Sequence, residues 1–228
     1  MSWLLKNQHI IDCRNLDVDK VIDKLKSIKY KNTFSKHKNA FFKFCAFIDL
    51  PLSPDVINTI ESLNDDKTKK YRKLKPVMLK DMLEQIEAIK DKKLKISFQT
   101  ILETGFRVSE ISQIKKEDCV INMDCLEFRF IGKGGENESV RVVKSNNPNL
   151  YNALINHINT LNDKNKVFYS ASYLQAEATK RDFKCHNLRR AFAKQNYREY
   201  RSIDKVQELL RHAKRQTTLI YLKSKVEI

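Results

Sequence analysis

Glycine and proline are scarce in this 228-residue chain, four of each, where an average protein carries roughly 12% of the two together. So few helix breakers favour a mostly helical protein, and no internal repeat or low-complexity segment is apparent. No stretch approaches the ~18 uninterrupted apolar residues of a membrane span, which excludes a transmembrane protein. The start, Met1-Ser2-Trp3-Leu4-Leu5-Lys6, is interrupted by Asn7, Gln8 and His9 too soon for a secretory segment. Five cysteines (Cys13, Cys45, Cys119, Cys125 and Cys185) form no CxxC pair and make no zinc pattern with the five histidines. They read as reduced thiols of a cytoplasmic protein, mostly small core residues, and no metal is expected.

What the chain has in excess is positive charge. Lys and Arg number 44 against 28 Asp and Glu, a net charge of +16 with a pI near 9.6. Such a balance implies an anionic partner, nucleic acid or simply a soluble surface. Its distribution is more informative. Arg181 to Arg215 carries eleven basic residues against four acidic ones, interleaved with Phe183, Phe192, Tyr197 and Tyr200. That pattern suits either a solvated helical face or a phosphate-contacting surface.

Hydrophobic spacing organises the rest. Val18, Val21, Ile22, Leu25 and Ile28 predict one helix; Phe34, Ala40, Phe41, Phe44, Phe47 and Ile48 predict a second, with Thr33 as its N-cap. Pro54 opens a third through Val56, Ile57, Ile60 and Leu63. The polar run from Asp65 to Lys75, ending at Pro76, has the composition of a linker and divides the chain into domains over 1–72 and 73–228. Beyond it, Leu79, Met82, Leu83, Ile86 and Ile89 form one helical face, and Leu94, Phe98, Ile101 and Leu102 another. The period then falls to two. Leu126, Phe128 and Phe130 alternate with Glu127 and Arg129, Val140 and Val142 flank Arg141, and Gly132-Lys133-Gly134-Gly135 lies between them, which predicts a β-hairpin. Helical spacing returns at Leu150 to Leu161 and from His186 onward. The expected fold is mainly α with a small antiparallel sheet (α+β), in two domains.

Several polar residues fall on these elements at suggestive intervals. Arg107 and Glu110 are three apart just after Gly105, Lys133 sits on the glycine-rich turn, His186 and Arg189 are again three apart, and Tyr221 follows His212 by nine. Singly, each pairing is also what a surface ion pair, a solvated turn or a helix end would give. Their wording and order say more. Thr104-Gly105-Phe106-Arg107-Val108-Ser109-Glu110-Ile111 resembles the first signature of the tyrosine recombinases, the phage-integrase and Xer-like site-specific recombinases. Gly132-Lys133-Gly134 resembles that family's hairpin lysine, and His186-Asn187-Leu188-Arg189-Arg190 its HxLR box. Leu210-Arg211-His212 with Thr217-Thr218-Leu219-Ile220-Tyr221 resembles its second histidine and nucleophile. Residues 33–48 resemble its core-binding domain more loosely.

The resemblance implies an N-terminal helical DNA-binding domain, a C-terminal catalytic domain, and DNA breakage and rejoining without metal, ATP or any cofactor. Tyr221 would be the nucleophile, Arg107 and Arg189 the bidentate phosphate clamps, Lys133 the general acid, and His186 and His212 phosphate donors or proton acceptors, with Glu110 supporting Arg107. Arg190, Arg211, Lys214 and Arg215 would contact DNA. The partners implied are double-stranded DNA carrying a specific site and further copies of the chain, monomeric in solution and tetrameric in a four-way junction, with no membrane. Arg211 stands where the family usually has Gly, a costly exchange if φ is positive there. Two other readings fit the same residues: a type IB topoisomerase-like enzyme, and a non-catalytic sequence-specific DNA-binding protein of the same fold.

Overall fold

The computed structural model describes residues 16–64, 67, 76–132 and 135–228. The stretch from Trp3 to Ile11, Cys13, the expected linker apart from Lys67, and Lys133 with Gly134 lie outside the described residues. The chain divides into two compact units, Met1–Lys73 and Leu74–Ile228.

Three helices make up the first unit as described. In α1 (Val18–Ser27) the Asp17 carboxylate accepts from Lys20 N–H, and Lys24 and Lys26 occupy the last turn, so both ends complement the helix dipole. The next helix, α2 (Lys31–Phe47), starts two residues before the expected Thr33 cap. Its N-cap is Tyr30, in extended backbone and without a side-chain cap, and Thr33 lies exposed in the first turn. Burial of Phe34, Phe41 and Cys45 fixes this helix, and packing overrides the weaker capping preference. In α3 (Pro54–Ser62) Ser53 caps Val56 N–H and Pro54 takes the first turn. Leu16, Val21, Ile22, Leu25 and Ile60 complete the core.

The second unit is mainly helical around a small sheet. It opens with β1 (Val77–Met78) and α4 (Leu79–Glu87), followed by α5 (Lys92–Thr104), whose Ile96, Phe98 and Ile101 are buried. The short α6 (Val108–Ile111) leads to a three-stranded antiparallel sheet of β2 (Cys119–Ile121), β3 (Cys125–Ile131) and β4 (Asn137–Val143). The expected hairpin is β3 with β4, in register Phe128 to Val140 and Phe130 to Glu138. Its second strand begins at Asn137, three residues before Val140, because the polar Asn137 and Glu138 extend the pairing without leaving a hydrophobic trace. Strand β2 was likewise not expected.

Helices α7 (Pro148–Asn159), α8 (Ala171–Lys180), α9 (Cys185–Tyr200), α10 (Ile203–Leu210) and α11 (Arg215–Leu222) follow. The chain then makes β5 (Val226–Glu227), parallel to β1. Val226 is fully buried there, and Lys194 and Arg198 of α9 donate to main-chain oxygens of Ser224 and Ile228. Edge-to-face aromatics knit the core: Phe98 of α5 meets Phe183, just before α9, and Phe106 meets both Phe128 and Phe130 of β3. Each such pair adds roughly 0.5–1.5 kcal/mol to plain burial. Among the described residues, no helix is long and apolar enough to cross a membrane.

Candidate active site

Gly105 sets the first functional position. It ends α5 in the left-handed region (φ 64, ψ 24), with its N–H on the Ile101 carbonyl. A Cβ at that point would lie 2.5 Å from the Phe192 ring, so both conformation and space require glycine. The turn delivers Phe106 to the aromatic cluster and Arg107 to the start of α6. Arg107 is the N-cap of that helix rather than a residue within it. It meets Glu110 through the cap: Glu110 accepts 2.9 Å from the Arg107 backbone N–H and also takes the Arg107 guanidinium. Burial pushes the Glu110 carboxyl up, but the two Arg107 donors and the nearby Arg211 outweigh it and hold the carboxyl below its ordinary range.

Arg189 on α9 is only 1% exposed. Its two terminal nitrogens donate to the carbonyls of Gly105 and Leu210, which tie the α5 turn to the end of α10. Its Nε has no partner among the described residues. Desolvation and then Arg107 lower this guanidinium to about 10, so it stays cationic at neutral pH.

Tyr221, buried on α11, lies in the middle of the remaining groups. Its Oη is 3.5 Å from His186 Nδ1, and both His186 and His212 meet its ring edge to face, at 4.9 and 4.7 Å. The guanidinium carbons of Arg189 and Arg190 each stand 5.9 Å from the ring centre. His212 is buried, with Nδ1 3.1 Å from Thr218 Oγ1 one turn before Tyr221. Both imidazoles are pushed down to about 4, by desolvation first and then by the surrounding arginines, so they are neutral at pH 7. Since His186 is exposed, its three neighbouring cations, Arg190, Arg189 and Arg107, are the firmer cause in its case. Cys185, beside His186, has its thiol raised to about 11 by burial and is no thiolate at neutral pH.

Phe106, Arg107, Gln175, His186, Arg189 and Tyr221 line a cleft of about 470 Å³. A larger groove of about 950 Å³, between α4, α5 and α7, contains none of these side chains, so the chemistry belongs to the smaller cleft. Four guanidiniums (Arg107, Arg189, Arg190, Arg211) against two carboxylates (Glu110, Glu138) leave the site cationic and suited to an anion. The structure thus brings Arg107, Glu110, His186, Arg189, His212 and Tyr221 together, while Lys133 lies outside the described residues. Of the expected DNA contacts, Arg190 lies over Tyr221, and Lys214 and Arg215 are exposed at the start of α11, where Arg215 also pairs with Asp204. Arg211 turns inward instead, onto Glu110 and Glu138. Thr218 and Gln175 were not expected at the site. Thr218 is recognisable only as a hydroxyl one helical turn before Tyr221, and nothing in the sequence marks Gln175.

No curated protein matches the chain. Solved structures resemble it in fold. The XerH site-specific recombinase in a post-cleavage complex with palindromic difH substrate is 19% identical with a TM-score of 0.66, over 98% of this chain and 71% of that one. The Tn1549 transposon integrase in complex with circular intermediate DNA is 14% identical with a TM-score of 0.62, over 97% and 86%. A lambda integrase dimer bound to a COC′ core site is 14% identical with a TM-score of 0.57, over 97% and 94%. Residues 72–227 match the model of the phage integrase family. That span holds every signature position from Arg107 to Tyr221, and the chain belongs to the phage integrase family of tyrosine recombinases.

Proposed function

We propose that this protein is a site-specific DNA recombinase that cleaves and rejoins DNA through a 3′-phosphotyrosyl intermediate at Tyr221. The observation that carries this reading is the setting of Tyr221: a buried phenol edge-to-face with two neutral histidines, with two guanidiniums within 5.9 Å of its ring. A phenol needs a proton acceptor and a stabilised phosphorane to attack a phosphodiester. His186, neutral and nearest to Oη, takes the phenolic proton. The Tyr221 oxygen bonds to phosphorus as the bond to the 5′-oxygen breaks, and Lys133 protonates the departing oxygen. Arg107 and Arg189 face the charge that builds on the non-bridging oxygens. Loss of such a donor costs on the order of 10²–10³ in rate. Attack by a second 5′-hydroxyl on the phosphotyrosine reverses these steps and exchanges strands. The bond energy is retained, so no ATP is consumed.

Residues 73–228 would be the catalytic domain and residues 1–72 the helical domain that grips the DNA core site. Like the relatives whose structures contain DNA substrates, the chain would act on double-stranded DNA bearing a specific site. Recombination of two sites needs four copies around a junction. Its net charge of +16 makes binding steeply salt-dependent through counterion release.

Covalent trapping tests the proposal. Nicked duplexes from the DNA flanking the gene are incubated in EDTA with wild type and Tyr221→Phe, then resolved under denaturing conditions. A protein–DNA adduct formed by wild type alone supports it. Tight specific binding without an adduct would reassign the chain to DNA recognition without chemistry.

A further inference from the structure

Arg211 occupies a demanding position. It closes α10 in left-handed backbone, φ 54 and ψ 48, a conformation that favours glycine. The side chain placed at this cost is not offered to solvent: it is 13% exposed and stacks over Phe106 and Phe130, 5.6 and 5.4 Å from their ring centres. One terminal nitrogen lies 3.1 Å from Glu110 Oε2, the oxygen that also receives the Arg107 backbone N–H. On its other side, Nε lies 2.9 Å from Glu138 Oε2. That second contact is a charge contact rather than a directed hydrogen bond, since the N–H misses the oxygen and neither atom has a hydrogen-bond partner among the described residues. The remaining terminal nitrogen donates to Leu209, and the Arg211 carbonyl accepts from Arg107.

The two carboxylates belong to different parts of the unit. Glu110 holds Arg107 at the cap of α6. Glu138 is the second residue of β4, opposite Phe130, and its side chain folds over Gly132, where a Cβ would meet it at 2.2 to 2.9 Å. A glycine at 132 therefore gives Glu138 room to reach Arg211. The Arg211 guanidinium lies over both rings at once, Phe106 at the turn that leads into α6 and Phe130 in β3, and these two rings are themselves 5.0 Å apart edge to face.

We propose that Arg211 is a positioning residue that clamps the base of the β3–β4 hairpin, through Glu138, to the carboxylate that holds Arg107. The role rests on the recombinase reading for its meaning in catalysis, because only then do Arg107 and the hairpin act on one phosphate. As a mechanical link it stands on the contacts alone. A buried ion pair of this kind adds little net stability, which suits a part that must be aligned rather than strengthened.

The test separates alignment from stability. In the full chain, Arg211→Gly relieves the left-handed backbone, which offsets the loss of the ion pairs and ring contacts, so the thermal midpoint moves little. Meanwhile, hydrogen exchange over residues 130–140 accelerates at least tenfold, with the rest of the unit unchanged. Single-turnover cleavage falls about 10- to 100-fold, and Arg211→Lys recovers part of the loss. Glu138→Gln, which keeps the side chain's size and leaves Arg211 in place, loosens the same stretch. Unchanged hairpin exchange in both variants overturns the clamp, as does exchange that rises throughout the unit with a falling midpoint. If wild type itself forms no DNA adduct, the recombinase reading fails, and the exchange pattern decides the clamp without it.

Discussion

The phenolic oxygen of Tyr221 lies 3.5 Å from Nδ1 of His186, in a ring pair that meets edge to face. That distance is at the outer limit of a hydrogen bond, and under the proposed mechanism bound substrate would tighten it. His212 also meets the phenol ring edge to face, and its Nδ1 is engaged by Thr218. The histidines thus differ in kind: one exposed and next to the oxygen, the other buried and oriented by the helix that carries the tyrosine.

This setting predicts an acid-labile site. Both imidazoles sit near 4 in the folded chain, against about 6.5 unfolded. As pH falls below 6.5, the unfolded chain takes up protons that the native state resists, so stability drops until about pH 4 and then levels. The buried His212 accounts for at most roughly 3 kcal/mol of that loss. Urea midpoints between pH 7 and 4 should decline for wild type and decline less for His212→Asn. Equal slopes would remove His212 from the account.

Gly105 is the tightest backbone position at the site. In Gly105→Ala, left-handed backbone costs about 1–2 kcal/mol and overpacking against Phe192 about 1–3 kcal/mol more. Denaturant unfolding should therefore show a loss of about 2–5 kcal/mol. Phe192→Leu should cost less in the alanine background than alone, because the smaller side chain makes room for the new methyl. Strict additivity of the two changes would mean that backbone strain alone is at work.

How much of this was legible beforehand depended on whether a residue's partner was near in sequence. Alternation of Leu126, Phe128, Phe130, Val140 and Val142 announced the hairpin, since a half-buried strand writes its period directly. Strands β1, β2 and β5, at two or three residues each, are too short to write one. The helix from Val18 was readable at both ends, whereas the start at Lys31 was set by where Phe34 and Phe41 could be buried. Within the site, ordered motifs named the arginines, histidines and tyrosine. Arg211 could be read only as a basic residue in place of glycine. Its carboxylate partners lie 101 and 73 residues away (211 − 110 and 211 − 138), so its inward turn is a property of tertiary packing.

Under the proposed mechanism, Arg189 joins structure to chemistry. It bridges the Gly105 and Leu210 carbonyls with separate nitrogens, and a lysine has one amine for both. Arg189→Lys should lower single-turnover cleavage by at least about 10² and also reduce the thermal midpoint, while DNA affinity, spread over many cations, changes little. A variant that cleaves at the wild-type rate would show that the bidentate geometry of this guanidinium is not used.

The lysine of the glycine-rich turn allows the sharpest chemical test of the proposed mechanism. If Lys133 protonates the departing 5′-oxygen, its removal costs about 10²–10⁴ in the cleavage step. That cost should vanish when the leaving atom needs no proton. A 5′-bridging phosphorothiolate departs as a thiolate, whose conjugate acid has a pKa near ~8.5, far below that of an alcohol. Lys133→Ala should therefore be crippled on ordinary DNA and close to wild type on the sulfur substrate. Arg107→Lys, by contrast, should stay slow on both, because charge still builds on the non-bridging oxygens. Equal defects of Lys133→Ala on the two substrates would move the acid elsewhere and leave Lys133 as a phosphate contact.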